Sequence, residues 1–439
     1  MFYIIETSEQ LSNLFPEKEC FIEVIANNDN YHPALALPSL IYYRADSKGY
    51  ILSINHSEAF SLDFEDVLKF IGKHKKVYCL DQKYTSYFIP HPNLIDINQT
   101  IIDQENRYLI HVCNTKVHTD FYSTTPFFTS LNLTLPISKH YEKCECLYEQ
   151  VSSYIGKEKD QTFYRELCKQ YVAIEKEGIA VDDPQFRKYY EPTWRSYSVE
   201  HNMIYTYYNL YNLTTRPTNS FNGINFLALN KEDGSRKSFV PKNDMFLEFD
   251  FDAYHLKLIA KLIGFECPDP SMHSYLGKHY FKTEELSETQ YQEGKAITFQ
   301  QIYGGIRNEY AHIEFFSKID TFIQDTWRTY QETGEIMLQT GRPLYLSKNS
   351  LNPQKLFNYI IQNLETWQNM SILKKLNKAL EYTHSKIVLV VYDSFLLDFS
   401  LKDGKKLLLE IKDLIEADGF KVKVKIGKNY NALTKTDYL

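Results

Sequence analysis

Between Lys386 and Phe399 the chain reads KIVLVVYDSFLLDF, an apolar run that meets one aspartate and leaves along a second apolar run. Such runs pair as a hairpin, and this one carries Asp393 at its tip. Asp250 ends another strand, MFLEFDFD, 143 residues earlier. Two strand-end aspartates can converge on one sheet surface, where they repel each other and lose solvation unless cations sit between them. Two Mg²⁺ ions clamping an in-line phosphoryl displacement would supply those cations. The plainer alternative is that each aspartate caps a turn, a common use of this residue.

Composition narrows the setting. A chain of 439 residues has a length prior of roughly three domains, with enough chain for a sizeable core in each. Its 43% hydrophobic and 24% charged residues are those of an ordinary globular protein, and 35 Tyr are unusual without implying disorder. No apolar run approaches the ~18 residues of a membrane span, and the opening MFYIIETSEQ lacks a basic signal region, so a cytoplasmic location is expected. Seven Cys without zinc-type spacing agree with a reducing compartment, and the pair Cys144 and Cys146 has no partner pair nearby. A net charge of −7 argues against coating nucleic acid by bulk electrostatics, while a local basic groove remains open.

The pattern along the chain changes several times, without repeats. Residues 1–140 mix short apolar runs such as CFIEVIA and KKVYCLD with helical stretches such as FEDVLKFIGKH, and read as a small α/β unit. Residues 141–183 read as helix, with Gly178 as a stop. After a Tyr-rich polar stretch, the Asp250 strand gives way to a helix whose Leu256, Ile259, Ala260 and Ile263 form one apolar stripe. Residues 265–350 are mostly helical, and 351–439 return to helix, hairpin, helix and strand. The fold class is α+β.

Between the two aspartates lies SETQYQEGKAITFQQIYGG. Ser287 and Gln290 have capping-box spacing, and Gly304 with Gly305 makes a helix stop. Tyr291, Lys295, Phe299 and Tyr303 recur every fourth residue and share one face. A cation followed by aromatic rings suits a nucleoside triphosphate, with Lys for phosphates and rings for base and sugar. An aromatic stripe packed in a core is the competing reading.

These segments, in this order and spacing, resemble the family A DNA polymerases, the DNA polymerase I group. DFDAYHLKLIA at 250–260 resembles the family's motif A, KAITFQQIYG at 295–304 its motif B, and VYDS at 391–394 its motif C. EKEGIAVD at 175–182 looks like the palm entry, and MIYTYYNLYNLTTRPT at 203–218 like the segment before motif A. FNYIIQ at 357–362 is similar to the helix that reads the DNA minor groove, and GFKVKVKIGKNYNAL at 419–433 to the closing strand. The resemblance covers most of 171–439. It implies a right-hand polymerase of palm, fingers and reduced thumb behind a degenerate 3′–5′ exonuclease-like domain. The implied boundaries are 1–140 for that domain, 141–215 for connecting helices and thumb, 216–264 and 351–439 for the palm, and 265–350 for the fingers.

The same resemblance implies extension of a primer 3′-OH on template DNA with dNTPs. Asp250 and Asp393 would hold two Mg²⁺ ions, Lys295 the incoming phosphates, and Phe299 the sugar and base, with Tyr303 at the floor of the insertion pocket. Arg216 would lie near the primer and template backbone. Tyr392 stands where the family has His before the motif C aspartate, and is placed on the DNA. Asn358 and Gln362 would read the minor groove, and their i, i+4 spacing independently presents two amides on one face. A buried amide network between helices is the alternative. Partners would be primer-template DNA, dNTPs and a processivity or replisome partner. A compact chain with a rewritten site suggests a phage or mobile element, and then a host cytoplasm.

Several positions depart from the family. Ser394 replaces the second motif C carboxylate, Tyr291 replaces an arginine one turn before Lys295, and His255 replaces the glutamate that excludes a ribose 2′-OH. His255 and Ser394 invite an RNA-synthesising or primase-like reading, whereas Phe299 is the ring of DNA-synthesising relatives. A third reading keeps the fold without the chemistry, as a DNA-binding accessory protein. Only 31 residues separate Asp182 from Thr214, where the family has a long thumb, so low processivity is expected. In the first unit Glu23 is followed by Ile25, and Thr85 stands where a carboxylate is expected, so proofreading is expected to be absent. Lys355, Lys374, Lys375 and KVKVKIGK would lie along DNA. Lysines guarding a solvated edge strand explain KVKVKIGK equally well.

Overall fold

The computed structural model describes residues 3–26, 32–45, 48–105, 108–112, 115–119, 136–190, 202–219, 224–268, 271–346 and 350–436. The first unit is a six-stranded sheet in the order Tyr3–Ile5, Lys48–Ser53, Pro38–Ala45, Glu19–Ala26, Lys76–Cys79 and Leu94–Asp96. Its strands alternate between two cores, as a pleat of period two requires. Ile22, Val24, Ile41 and Leu52 enter one core with Val67 and Phe70 of the helix Phe64–Ile71. Phe21, Ile25, Leu40 and Ile51 enter the other with Ile101, Cys144 and Leu147.

The helix expected over 141–183 is two helices, Ile137–Val151 and Thr162–Glu177. The break has a local cause. Gly156 takes a φ of 77°, and GKEKDQ around it offers no apolar stripe to bury. The earlier helix stays with the first unit, where the Tyr42 hydroxyl donates to Glu145 at 2.8 Å and Arg44 pairs with the same carboxylate. The later helix packs on the second unit and ends at Gly178, whose φ is 66°.

That second unit centres on a five-stranded antiparallel sheet, ordered Lys386–Val391, Ser394–Phe399, Met245–Phe251, Val422–Gly427 and Thr434–Lys435. Phe249, Leu389 and Leu397 share a core with Leu167, Leu373, Leu376 and Ile411, so three helices bury its inner residues. The helices Met272–Phe281, Glu288–Gly304 and Glu314–Thr333 gather around another core with Leu256 and Ile259. The long helix Pro353–Ala379 joins the two cores, giving Phe357 and Ile361 to one and Leu373 and Leu376 to the other. KVKVKIGK is not an open edge. Its strand pairs with Met245–Phe251 along six residues and with Thr434–Lys435 on its far side.

The two units are joined by buried polar side chains. Lys83 of the first pairs with Glu175 of the second at 2.6 Å, with side chains 3% and 0% exposed. Glu175 also accepts from the Tyr208 backbone N–H, and the Tyr208 hydroxyl donates to the Val390 carbonyl and accepts from the Val390 N–H, both at 2.9 Å. The Tyr211 hydroxyl donates to Asp96 at 2.7 Å, and Arg342 reaches both Gln99 and the Asn212 carbonyl. Of the short span expected to hold the thumb, Asp183–Tyr189 is helical and 191–201 lie outside the described residues. Among the described residues no helix is long and apolar enough to cross a membrane.

Candidate active site

Asp250 sits near the end of the central strand, with Ser394 as its cross-strand partner, and the Phe251 N–H donates to the Asp393 carbonyl at 3.1 Å. This register brings the hairpin tip beside Asp250. Ala253, three residues beyond Asp250, and Tyr392, which precedes Asp393, take φ values of 50° and 53°. Left-handed backbone in residues with a Cβ costs about 1 kcal/mol each and persists only where surroundings enforce it. At Tyr392 the enforcement is visible: Asn369 Nδ2 donates to its carbonyl at 2.9 Å, and the Tyr254 hydroxyl holds Asn369 Oδ1 at 2.7 Å.

The two carboxylates are compensated unequally. Lys425 Nζ lies 2.8 Å from Asp250 and 2.6 Å from Glu248, while Lys423 meets Asp252 at 2.5 Å. Alternate lysines on Val422–Gly427 therefore face alternate acids on the central strand. Asp393 has no ion-pair partner among the described residues, and burial, the Asp250 carboxylate and Glu365 push it up to about 6.

The helix Glu288–Gly304 closes the site from the other side. Its start is a capping box, Ser287 Oγ accepting from the Gln290 N–H at 3.2 Å and Gln290 Oε1 from the Ser287 N–H at 3.0 Å. One turn on, Lys295 Nζ stands 4.7 Å over the Tyr291 ring, and the Phe299 and Tyr303 rings lie nearly parallel at 6.1 Å. A cavity of about 230 Å³ is bounded by Asp250, Asp252, His255, His273, Lys295, Phe299, Asp393 and Lys423. Phe299 is 40% exposed, so this part of the stripe is not core.

His255 stands at the inner wall. Its Nδ1 meets the Tyr303 hydroxyl, and its Nε2 lies 2.9 Å from Glu365 Oε2. Glu365, 1% exposed, also takes Arg216 at 3.1 Å. Burial raises the Glu365 pKa, but the Arg216 charge and the His255 contacts outweigh it, and the carboxyl ends below its usual range. The Arg216 guanidinium lies 3.9 Å over the Tyr392 ring, so it is anchored within the protein at the hairpin tip. Asn358 Nδ2 donates to the Tyr303 carbonyl at 3.4 Å, and Gln362 Oε1 accepts from Thr214 at 3.2 Å. Both amides are half-buried and keep one part of their hydrogen-bonding capacity unused.

Asp250, Asp393, Lys295, Phe299 and His255 thus share one cavity, Tyr303 backs it, and Arg216, Tyr392, Asn358 and Gln362 lie around its inner end. Two residues of the site carried no sequence signal of their own, His273 and Glu365, while Lys423 and Lys425 were expected along DNA rather than beside the acids of the central strand. His273 is 5% exposed, its Nδ1 has no partner, and burial with the Lys295 charge pushes it down to about 4. A neutral imidazole with an orphan nitrogen beside a lysine fits a ligand of the opposite charge. Only the alternation of Lys423 and Lys425 opposite Glu248, Asp250 and Asp252 could have been read in advance.

Carboxylate oxygens are the donors that suit Mg²⁺. Among the described residues no group of three or more His, Cys, Asp or Glu side chains could enclose an ion. A cation at Asp250 and Asp393 would therefore complete its shell with water and phosphate oxygens, the usual habit of Mg²⁺.

No family model and no curated protein matches the chain. Its backbone is similar to a solved structure, the POL domain of Pol1 from M. smegmatis in complex with DNA primer-template and dNTP. The TM-score is 0.72 at 12% identity, over 98% of this chain and 100% of that one. The α+β fold is that of a DNA polymerase POL domain.

Proposed function

We propose that this chain is a template-directed DNA polymerase of the family A kind, extending a primer 3′-OH with dNTPs. One observation carries the reading: Asp250 of the central strand, Asp393 of the hairpin tip, and Lys295 and Phe299 of one helix line one cavity in a polymerase fold. Asp250 and Asp393 would hold Mg²⁺. Bound there, the ions would supply the charge that stabilises the attacking and leaving oxygens. The protein's own part is positional. The Lys295 ammonium meets the triphosphate as a point charge, the orphan His273 Nδ1 can donate to a phosphate oxygen, and the Phe299 ring supports the base and sugar. Asn358 and Gln362 present amides to minor-groove acceptors, and Arg216 with Tyr392 borders the primer terminus.

We read the first unit as lacking proofreading: Asp96 is held by the Gln82 and Gln99 N–H groups and the Tyr211 hydroxyl, and Asp81 caps the helix Gln82–Thr85 through one oxygen. The short span between Asp182 and Thr214 supports low processivity without a partner protein. A second reading, of a DNA-binding protein without chemistry, draws on Lys425 already neutralising Asp250.

Primer extension in Mg²⁺ with dNTPs or NTPs, for wild type and Asp393→Ala, separates these readings. Extension by wild type with dNTPs and at least ~10³-fold loss in the variant is expected, given that the carboxylate is a direct ligand. Equal use of NTPs would replace DNA synthesis by RNA synthesis. Duplex binding without extension in any nucleotide or metal would leave the accessory reading standing.

A further inference from the structure

The buried carboxylate behind the cavity has no part in the roles above. Glu365 projects from the long helix Pro353–Ala379, does not line the cavity, and holds in series His255, which does, and Tyr303, which backs it. We infer that Glu365 is the positioning residue for sugar discrimination, acting through His255 on Tyr303. The inference rests on the polymerase reading.

The geometry sets the order along a bound nucleotide. With phosphates at Lys295 and the base on Phe299, the sugar passes His255, which the Tyr303 ring beside Phe299 backs. A wall that rejects one hydroxyl must not yield by an ångström, and free imidazole and phenol rings would. Glu365 removes that freedom. A carboxylate only accepts, so His255 Nε2 carries a hydrogen and donates to it, and on the other side of the ring Nδ1 meets the Tyr303 hydroxyl. Arg216 fixes the same carboxylate through both oxygens, at 3.1 and 3.3 Å, sharing Oε2 with His255. The gate thus takes its rigidity from a charge on another helix.

The test compares single-nucleotide kcat/KM for a dNTP and its NTP in wild type, Glu365→Gln, Tyr303→Phe and the double variant. A glutamine keeps the volume but presents either an oxygen or an NH₂ to His255, and Tyr303→Phe cuts the same relay without touching the buried charge. Both single variants should lose about tenfold in dNTP preference, as expected for a lost hydrogen bond to a buried charge, mainly through a rise in NTP use. The double variant should lose no more than either single one, since the relay is already broken. Unchanged preference in both singles overturns the inference. So does an equal fall for both nucleotides, which marks a merely structural glutamate. Failure of wild type to extend with any nucleotide overturns the polymerase reading itself, and the inference falls with it.

Discussion

His32 shows how a single side chain can set the pH range of this fold. Its ring is 7% exposed, with Nε2 against the Thr206 carbonyl at 2.8 Å and Nδ1 accepting from the Ala34 N–H at 3.1 Å, so it is held neutral. Burial and the nearby Lys83 charge push its pKa down to about 3. The unfolded chain therefore binds a proton near pH 6.5 that the native state refuses until about pH 3. The contribution to stability is complete above the upper value and is lost as pH falls through that window. A loss of up to about 1.4 kcal/mol per pH unit is expected there. Urea denaturation at several pH values checks this, and His32→Phe should flatten the slope. A similar economy of neutral and charged forms governs the site, where His273 is uncharged beside Lys295.

Among the elements, the hairpin that carries Asp393 has the most to lose. Lys386–Val391 is an edge strand, and the Tyr208 side chain satisfies both backbone groups of Val390 on its open side. Tyr208→Phe leaves a buried N–H and C=O unpaired three residues from the aspartate, and should cost about 2 kcal/mol in chemical denaturation. Much of this level was legible in the residues. The hairpin, the capping box at Ser287 and the Lys295–Phe299–Tyr303 stripe are local signals, written in spacing that backbone geometry obeys. Glu365 and His273 were not legible, because a single charged or polar residue in a helix reads as solvent-facing until the tertiary partners are known. The break near Gly156 does have a local signal, the polar GKEKDQ, but which of the two helices belongs to which unit is decided by packing alone.

At the scale of the molecule, the two units share two buried ion pairs, Asp103 with Arg342 at 3.6 Å and the closer Lys83 with Glu175 at 2.6 Å. Lys83→Met would strand the Glu175 carboxylate in the interior and should destabilise the whole chain by about 3 kcal/mol, since removing one partner of a buried pair is far costlier than removing both. Lys83→Met with Glu175→Met should recover part of that loss. A thermal melt that shifts as one transition for both variants would show the units unfolding together; an independent first transition from the N-terminal sheet would contradict it. The pair also lies on a path of direct contacts, from Lys83 through Glu175 and Tyr208 to Val390, that ends beside Asp393.

This wiring has a consequence over generations of sequence change. Asp96 and Lys83 belong to the first unit, on a strand and on the short helix Gln82–Thr85, yet their partners Tyr211 and Glu175 belong to the second. Drift at either position is therefore policed by a neighbour's fold, whatever reaction the first sheet performs. A lineage could shed every activity of that sheet and still be unable to discard the sheet.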